Sequence, residues 1–238
     1  MTMNAHERIF VAFDMTSLGD ALELARSLSG LVGGIKLGHE FFTACGPDGV
    51  RRVSEVGLPI FLDLKFHDIP TTVAHAVAAA SALRPFMLNV HGSGGEAMLR
   101  AAAEAAAALG DDRPLVLAVT VLTSLADADL AAIGVAGEVR DQVTRLALLA
   151  KGCGLDGVVC AASEIMALRG AAGGVFKLVV PGVRPSWAAV DDHKRVLTPG
   201  EAVALGADYL VIGRPITGAA RPQEAAQRIV DEVAAAGA

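Results

Sequence analysis

Aromatic residues are scarce in this chain: one Trp, one Tyr and eight Phe account for 4% of 238 residues. Aliphatic and Ala packing must therefore carry the interior. An excess of positive charge is also missing, since 20 Lys+Arg stand against 26 Asp+Glu for a net charge of −6. That balance argues against sequence-independent binding to nucleic acid. It leaves room for a small anionic ligand, because a local cationic pocket can sit on an acidic protein. Cysteine is sparse. Cys45, Cys153 and Cys160 are odd in number and lack zinc-ligand spacing, which suits free thiols in a reducing cytoplasm. Despite a mean hydropathy of +0.49, the most apolar stretch, Thr71 to Val90, is broken by His75, Ser81, Arg84 and Pro85. No segment offers the ~20 apolar residues that a membrane span needs. Met1 to Arg8, with His6, Glu7 and Arg8, has no signal-peptide anatomy.

What is present is core material. Hydrophobic residues make up 53% of the chain and charged residues 19%, so disorder is excluded. Along the chain a unit recurs: a short β-branched run, a loop, then an Ala/Leu-rich helical pattern. The runs are Ile9–Phe13, Gly34–Leu37, Ile60–Leu64, Phe86–Val90, Leu115–Val121, Gly157–Cys160, Phe176–Val180 and Tyr209–Ile212. Helix punctuation lies between them. Ser17-Leu-Gly-Asp20 has the form of a capping box, Thr198-Pro-Gly-Glu201 adds Pro at the first helical position, and Pro222 opens the last helix. Strand–helix alternation implies parallel pairing. Eight units in 238 residues fit an α/β fold of the (β/α)8 TIM-barrel type, with residues 1–238 as a single domain. A doubly wound sheet is disfavoured, because Phe13-Asp-Met-Thr-Ser17 stands where a glycine-rich dinucleotide fingerprint would follow the first strand.

In such a barrel the chemistry sits at the C-terminal ends of the strands, and charged residues interrupt the strands there. Asp14 follows the first, Lys36 lies near the end of the second, and Asp63 and Lys65 end the third. Strict strand alternation points Asp63 and Lys65 to one face and Leu62, Leu64 and Phe66 to the other. A structural ion pair is the plain alternative, but buried pairs often give little net stability. A Lys–Asp–Lys cluster at the catalytic end points to function. Pro70 biases Ile69 toward extended backbone, so Asp68 falls in a loop beyond the strand, able to reach sideways or merely to shape the turn.

Loops after the seventh and eighth strands form the frequent phosphate site of these barrels. Here they read Val180-Pro-Gly-Val-Arg184 and Ile212-Gly213-Arg214. Gly213 would allow close backbone approach, and Arg214 offers a bidentate fork. The long connection from Gly182 to Thr198 carries Arg184, Trp187, Asp191, Asp192, His193, Lys194 and Arg195, as a lid over a phosphate would. Thr120 to Ser124 supplies hydroxyls suited to hydrogen-bonding a heterocycle. His91 ends a strand, and a core or supporting role is its default.

Asp63-x-Lys65-x-x-Asp68-Ile-Pro-x-Thr72, with Lys36 upstream and Gly213-Arg214 downstream, closely resembles orotidine 5′-phosphate decarboxylase in its bacterial form. The resemblance extends through Val11-Ala-Phe-Asp14, Leu122-Thr123-Ser124, Val180-Pro-Gly-Val-Arg184 and Val211-Ile-Gly-Arg-Pro-Ile-Thr217. It implies decarboxylation of orotidine monophosphate to uridine monophosphate, without metal or organic cofactor, in a homodimer with shared active sites. It further implies that Asp14 and Lys36 contact the ribose, Asp63 lies against the substrate carboxylate, and Lys65 donates the proton. Asp68 and Thr72 would serve the neighbouring subunit's site, and Thr123 would bind the pyrimidine. Arg184, Gly213 and Arg214 would hold the phosphate. His193 stands where the bacterial pattern usually has Gln.

Three other readings compete. Related sugar-phosphate decarboxylases and aldolases share Asp-x-Lys-x-x-Asp but use magnesium and place a carboxylate where Lys36 stands. An acid–base isomerase using Asp14 and Asp63 fits the intervening lysines poorly. A binding-only barrel would be expected to lack a member of the Lys–Asp–Lys–Asp set, and none is missing.

Overall fold

The computed structural model describes residues 3–188 and 197–236. Its eight strands are β1 (Ile9–Phe13), β2 (Gly34–Leu37), β3 (Ile60–Phe66), β4 (Met87–His91), β5 (Leu115–Val119), β6 (Gly157–Val159), β7 (Lys177–Pro181) and β8 (Tyr209–Ile212). They follow chain order in a closed barrel, which bears out the (β/α)8 expectation. The helices are α1 (Leu18–Leu28), α2 (His39–Ser54), α3 (Pro70–Ser81), α4 (Gly95–Ala107), α5 (Asp127–Ala132), α6 (Val139–Gly152), α7 (Ile165–Ala172), α8 (Pro199–Ala204), α9 (Arg214–Thr217) and α10 (Pro222–Ala236). No helix among the described residues is long and apolar enough to cross a membrane. The chain divides into two packing units, Met1–Leu64 with Val180–Ala238, and Lys65–Val179.

In the first unit, β1 pairs with β2 and β8, and β2 with β3, all parallel. Parallel strands covered on both faces read as continuous apolar runs rather than alternating ones, and every residue of β1 is buried. Phe10 meets Tyr209 edge-on at 5.6 Å between ring centres. In this aromatic-poor core, β-branched and Leu side chains fill most of the remaining space. In the second unit, β4 to β7 pair in parallel, with Asn89 opposite Leu117 and Val119 opposite Val159.

Helix ends follow their punctuation. Ser17 caps α1 by accepting the Asp20 N–H at 3.3 Å. Thr198 and Glu201 cap α8 reciprocally: the Thr198 hydroxyl accepts the Glu201 N–H at 3.3 Å, and the Glu201 carboxylate accepts the Thr198 N–H at 2.8 Å. Each such cap removes an orphan donor and contributes about 1 kcal/mol.

Strand ends differ from expectation where side chains intervene. β5 stops at Val119 instead of Val121: the Thr120 N–H makes the last bond to β6, to the Val159 carbonyl at 3.3 Å, and the Thr120 hydroxyl donates to the same oxygen at 3.0 Å. β3 runs two residues further than its apolar stretch, to Phe66, and carries both Asp63 and Lys65.

Candidate active site

The first unit gathers three of the expected charged residues at adjacent strand ends. Register places Ala12 of β1 opposite Lys36 of β2, and Lys36 opposite Phe61 of β3. Asp14 lies just past β1 and Asp63 two residues beyond Phe61, so both carboxylates reach the same lysine. Lys36 Nζ stands 3.0 Å from Asp14 Oδ1 and 3.4 Å from Asp63 Oδ2. The Lys36 and Asp63 side chains are nearly buried, whereas Asp14 is 57% exposed. Burial makes this arrangement stiff as well as costly to disrupt.

Gly38, the residue before α2, keeps this seat open. A Cβ there would stand 2.8 Å from Lys36 Nζ. Its backbone is extended (φ −100°, ψ −165°), so space around the ammonium, not a special dihedral, is what calls for glycine. Nothing in the local sequence signals this.

At the expected phosphate end, Gly213 is the residue before α9, and Arg214 is its exposed first residue. Gly213 has negative φ, and a Cβ on it would make an ordinary 3.5 Å contact with Ala12. Packing within the protein therefore leaves room for a side chain at this position. Arg184 donates its backbone N–H to the Leu197 carbonyl at 3.1 Å and its guanidinium to the Val183 carbonyl at 3.1 Å. The first of these bonds ties the two ends of the long connection. Trp187, on that connection, lies under the Arg228 guanidinium of α10 at 4.2 Å. His193, with Asp191, Asp192, Lys194 and Arg195, lies outside the described residues.

The second unit begins at Lys65, whose backbone departs from the alternation argument. Its φ is +49°, a left-handed value uncommon for any residue but Gly, Asn or Asp. Strict pleating therefore does not set the direction of Lys65, and its sharing a face with Asp63 does not follow from strand geometry. Its N–H donates to Asn89 Oδ1 at 2.7 Å, and Asn89 is fully buried. On the other side of the same peptide, His39 Nε2 lies 2.9 Å from the Leu64 carbonyl oxygen. Asn89 and His39 were not expected at the site. An Asn inside Met87-Leu-Asn-Val-His91, a run otherwise suited to a buried strand, was the available signal.

His67 stacks on His91 at 5.1 Å. Both the backbone N–H and the hydroxyl of Ser93 engage His91 Nδ1, at 3.3 and 2.6 Å. Nδ1 thus accepts, and Nε2 holds the proton of the neutral ring. Burial, then the neighbouring His67 and Lys65, pull the His91 pKa below its ordinary value. Asp68 sits in the bend after β3 and accepts the Ile69 N–H at 2.6 Å, so it does shape the turn. Thr72 is exposed in the first turn of α3, and Thr123 is exposed in the turn after β5.

The charge cluster lies where (β/α)8 barrels carry their chemistry, and comparison with known proteins identifies the family. The model of the orotidine 5′-phosphate decarboxylase / HUMPS family matches residues 7–229. The chain belongs to that family. It is similar to the orotidine 5′-phosphate decarboxylase of Rhodospirillum rubrum, at 57% identity over 98% of this chain and 95% of the relative. The enzyme of that name from Paramagnetospirillum magneticum is 52% identical over 94% of this chain and 97% of its own. Among solved structures, the orotidine 5′-phosphate decarboxylase of Lactobacillus acidophilus superposes with a TM-score of 0.82, at 34% identity, covering 94% of this chain and 98% of the other.

Proposed function

We propose that this barrel, residues 1–238 acting as one domain, decarboxylates orotidine 5′-monophosphate to uridine 5′-monophosphate with Lys65 as proton donor. The family match and the relatives at 47–57% identity support the reaction. The observation that carries the mechanism is Lys36 held between Asp14 and Asp63, with Lys65 two residues further along the strand that bears Asp63.

When the bond to the carboxylate breaks, carbon dioxide leaves and its electron pair stays on the ring carbon, which the pyrimidine cannot readily delocalise. Developing negative charge is best stabilised by a cation already in place. The Lys65 ammonium supplies that charge and then transfers a proton to the same carbon, leaving a neutral amine that solvent reprotonates. Each factor of ten in rate requires about 1.4 kcal/mol, so no single contact suffices. Asp63, held by Lys36, lies against the departing carboxylate, and its repulsion is relieved as carbon dioxide leaves. Charge stabilisation by Lys65 carries the larger share.

Asp14 and Lys36 hold the ribose, Thr123 the pyrimidine, and Arg184, Gly213 and Arg214 the phosphate, with His193 a further substrate-binding residue. Binding energy at the phosphate is directed to orienting the ring. Two chains share each site, with Asp68 and Thr72 serving the partner's. The exposure of Ile69 and Leu122, beside Asp68 and Thr123 in the chain, supports an apolar partner surface there. The reaction proceeds in the cytoplasm without metal or organic cofactor, and nucleic acid is no partner.

A magnesium-dependent sugar-phosphate decarboxylase or aldolase is the competing reading, since the family description also covers HUMPS. Lys36 in the place of a metal-binding carboxylate favours the nucleotide reaction. The test follows the ultraviolet absorbance of orotidine monophosphate with and without a chelator. Equal rates in both support the proposal. No turnover, or turnover abolished by chelator and restored by magnesium, overturns it.

A further inference from the structure

The Leu64–Lys65 peptide is gripped at both of its polar ends. Its carbonyl oxygen lies 2.9 Å from His39 Nε2, and its N–H donates to Asn89 Oδ1 at 2.7 Å. A carbonyl only accepts, so Nε2 of His39 carries a hydrogen. In a planar trans peptide the C=O and N–H point in opposite directions, so the two side chains pull on one rigid plate from opposite sides. Fixing the plate fixes the nitrogen of Lys65 and the plane from which φ is measured. The next torsion is the left-handed φ of +49° at Lys65, which persists only where the surroundings over-determine it. His39 is the first residue of α2, and Asn89 is a buried residue of β4. Neither is a flexible support.

We infer that His39 and Asn89 are positioning residues for Lys65, clamping the Leu64–Lys65 peptide so that its left-handed backbone places the ammonium at the reacting carbon. The inference rests on Lys65 being the proton donor. A displacement near 1 Å can cost about a hundredfold in rate, so losing either grip lowers turnover with little change in substrate binding, whose contacts lie elsewhere.

The experiment compares His39→Ala, His39→Gln, Asn89→Ala and the double alanine variant, measuring kcat, KM for orotidine monophosphate, and Tm. The expected result is a kcat lowered by roughly ten- to a hundredfold in each single alanine variant, with KM within about threefold. Gln retains an N–H donor, so His39→Gln recovers most of the kcat. The double variant is less impaired than the product of the single effects, because one released grip already frees the peptide. His39 is exposed, so if Asn89→Ala does not fold, the His39 pair decides alone. Unchanged kcat in His39→Ala, equal loss in Gln and Ala, or multiplying losses in a folded double variant would overturn the clamp. Lys65→Ala is measured alongside. If it is inactive while His39→Ala is normal, only the clamp fails. If it turns over normally, the donor assignment fails first.

Discussion

Replacing Gly38 with alanine tests how closely the Lys36 ammonium is seated. The added methyl would stand 2.8 Å from Nζ, where ordinary contact begins at 3.4 Å. The ammonium must then retreat by roughly 0.6 Å, away from a position 3.0 Å from Asp14 and 3.4 Å from Asp63. The backbone at Gly38 is one that alanine adopts without strain, so the stability cost is confined to a poorer helix cap, about 0.5–1 kcal/mol. That is a fall in Tm of roughly 1–4 °C for a chain of this length. Catalysis is more sensitive. If 1 Å costs about a hundredfold, 0.6 Å costs on the order of tenfold in kcat/KM. The assay pairs the absorbance decay of orotidine monophosphate with a thermal melt. A kcat/KM within twofold of the parent would refute the argument. So would an activity loss accompanied by collapse of Tm, because the damage would then be general and not local to the ammonium.

Other outcomes follow from the same geometry. Arg214→Ala should raise KM and lower kcat/KM together, since phosphate binding energy is used for orientation as well as retention; a change in KM without loss of kcat/KM would contradict this. Mixing inactive Asp68→Ala with inactive Lys65→Ala should regenerate activity, because random re-pairing of a two-fold dimer makes about one site in four intact. No recovery after confirmed subunit exchange would exclude the shared site. For His91, burial and nearby positive charge depress the folded pKa, so between that value and the ordinary 6.5 the unfolded chain binds more protons. Stability should therefore fall as pH drops below about 6.5, and His91→Gln should reduce the slope in urea unfolding at pH 5.5 against 7.5. Identical slopes would remove His91 from the acid response.

The barrel was legible because its signals are local and repeated. β1, β2 and β8 coincide with their apolar runs, and Ser17 and Thr198 cap the helices they precede. Asp14, Lys36 and Asp63 could be picked out because charges at the ends of buried strands stand out, and their ion pairs join residues far apart in sequence but adjacent in register. Gly38, His39 and Asn89 were less visible. Their roles depend on where the Lys36 ammonium and the Leu64–Lys65 peptide lie, which only tertiary packing determines. The left-handed backbone of Lys65 could not be anticipated, because lysine carries no preference for it. Gly213 shows the converse. The motif suggests a steric need for glycine, yet the chain itself leaves room for a Cβ.

The most direct measurement is the turnover of Lys65→Ala set beside its affinity for uridine monophosphate. Loss of the resident charge and the proton together should slow product formation by on the order of 10⁴-fold or more, with nucleotide affinity kept within a few-fold. Turnover near the parent rate in a folded Lys65→Ala protein would contradict the account.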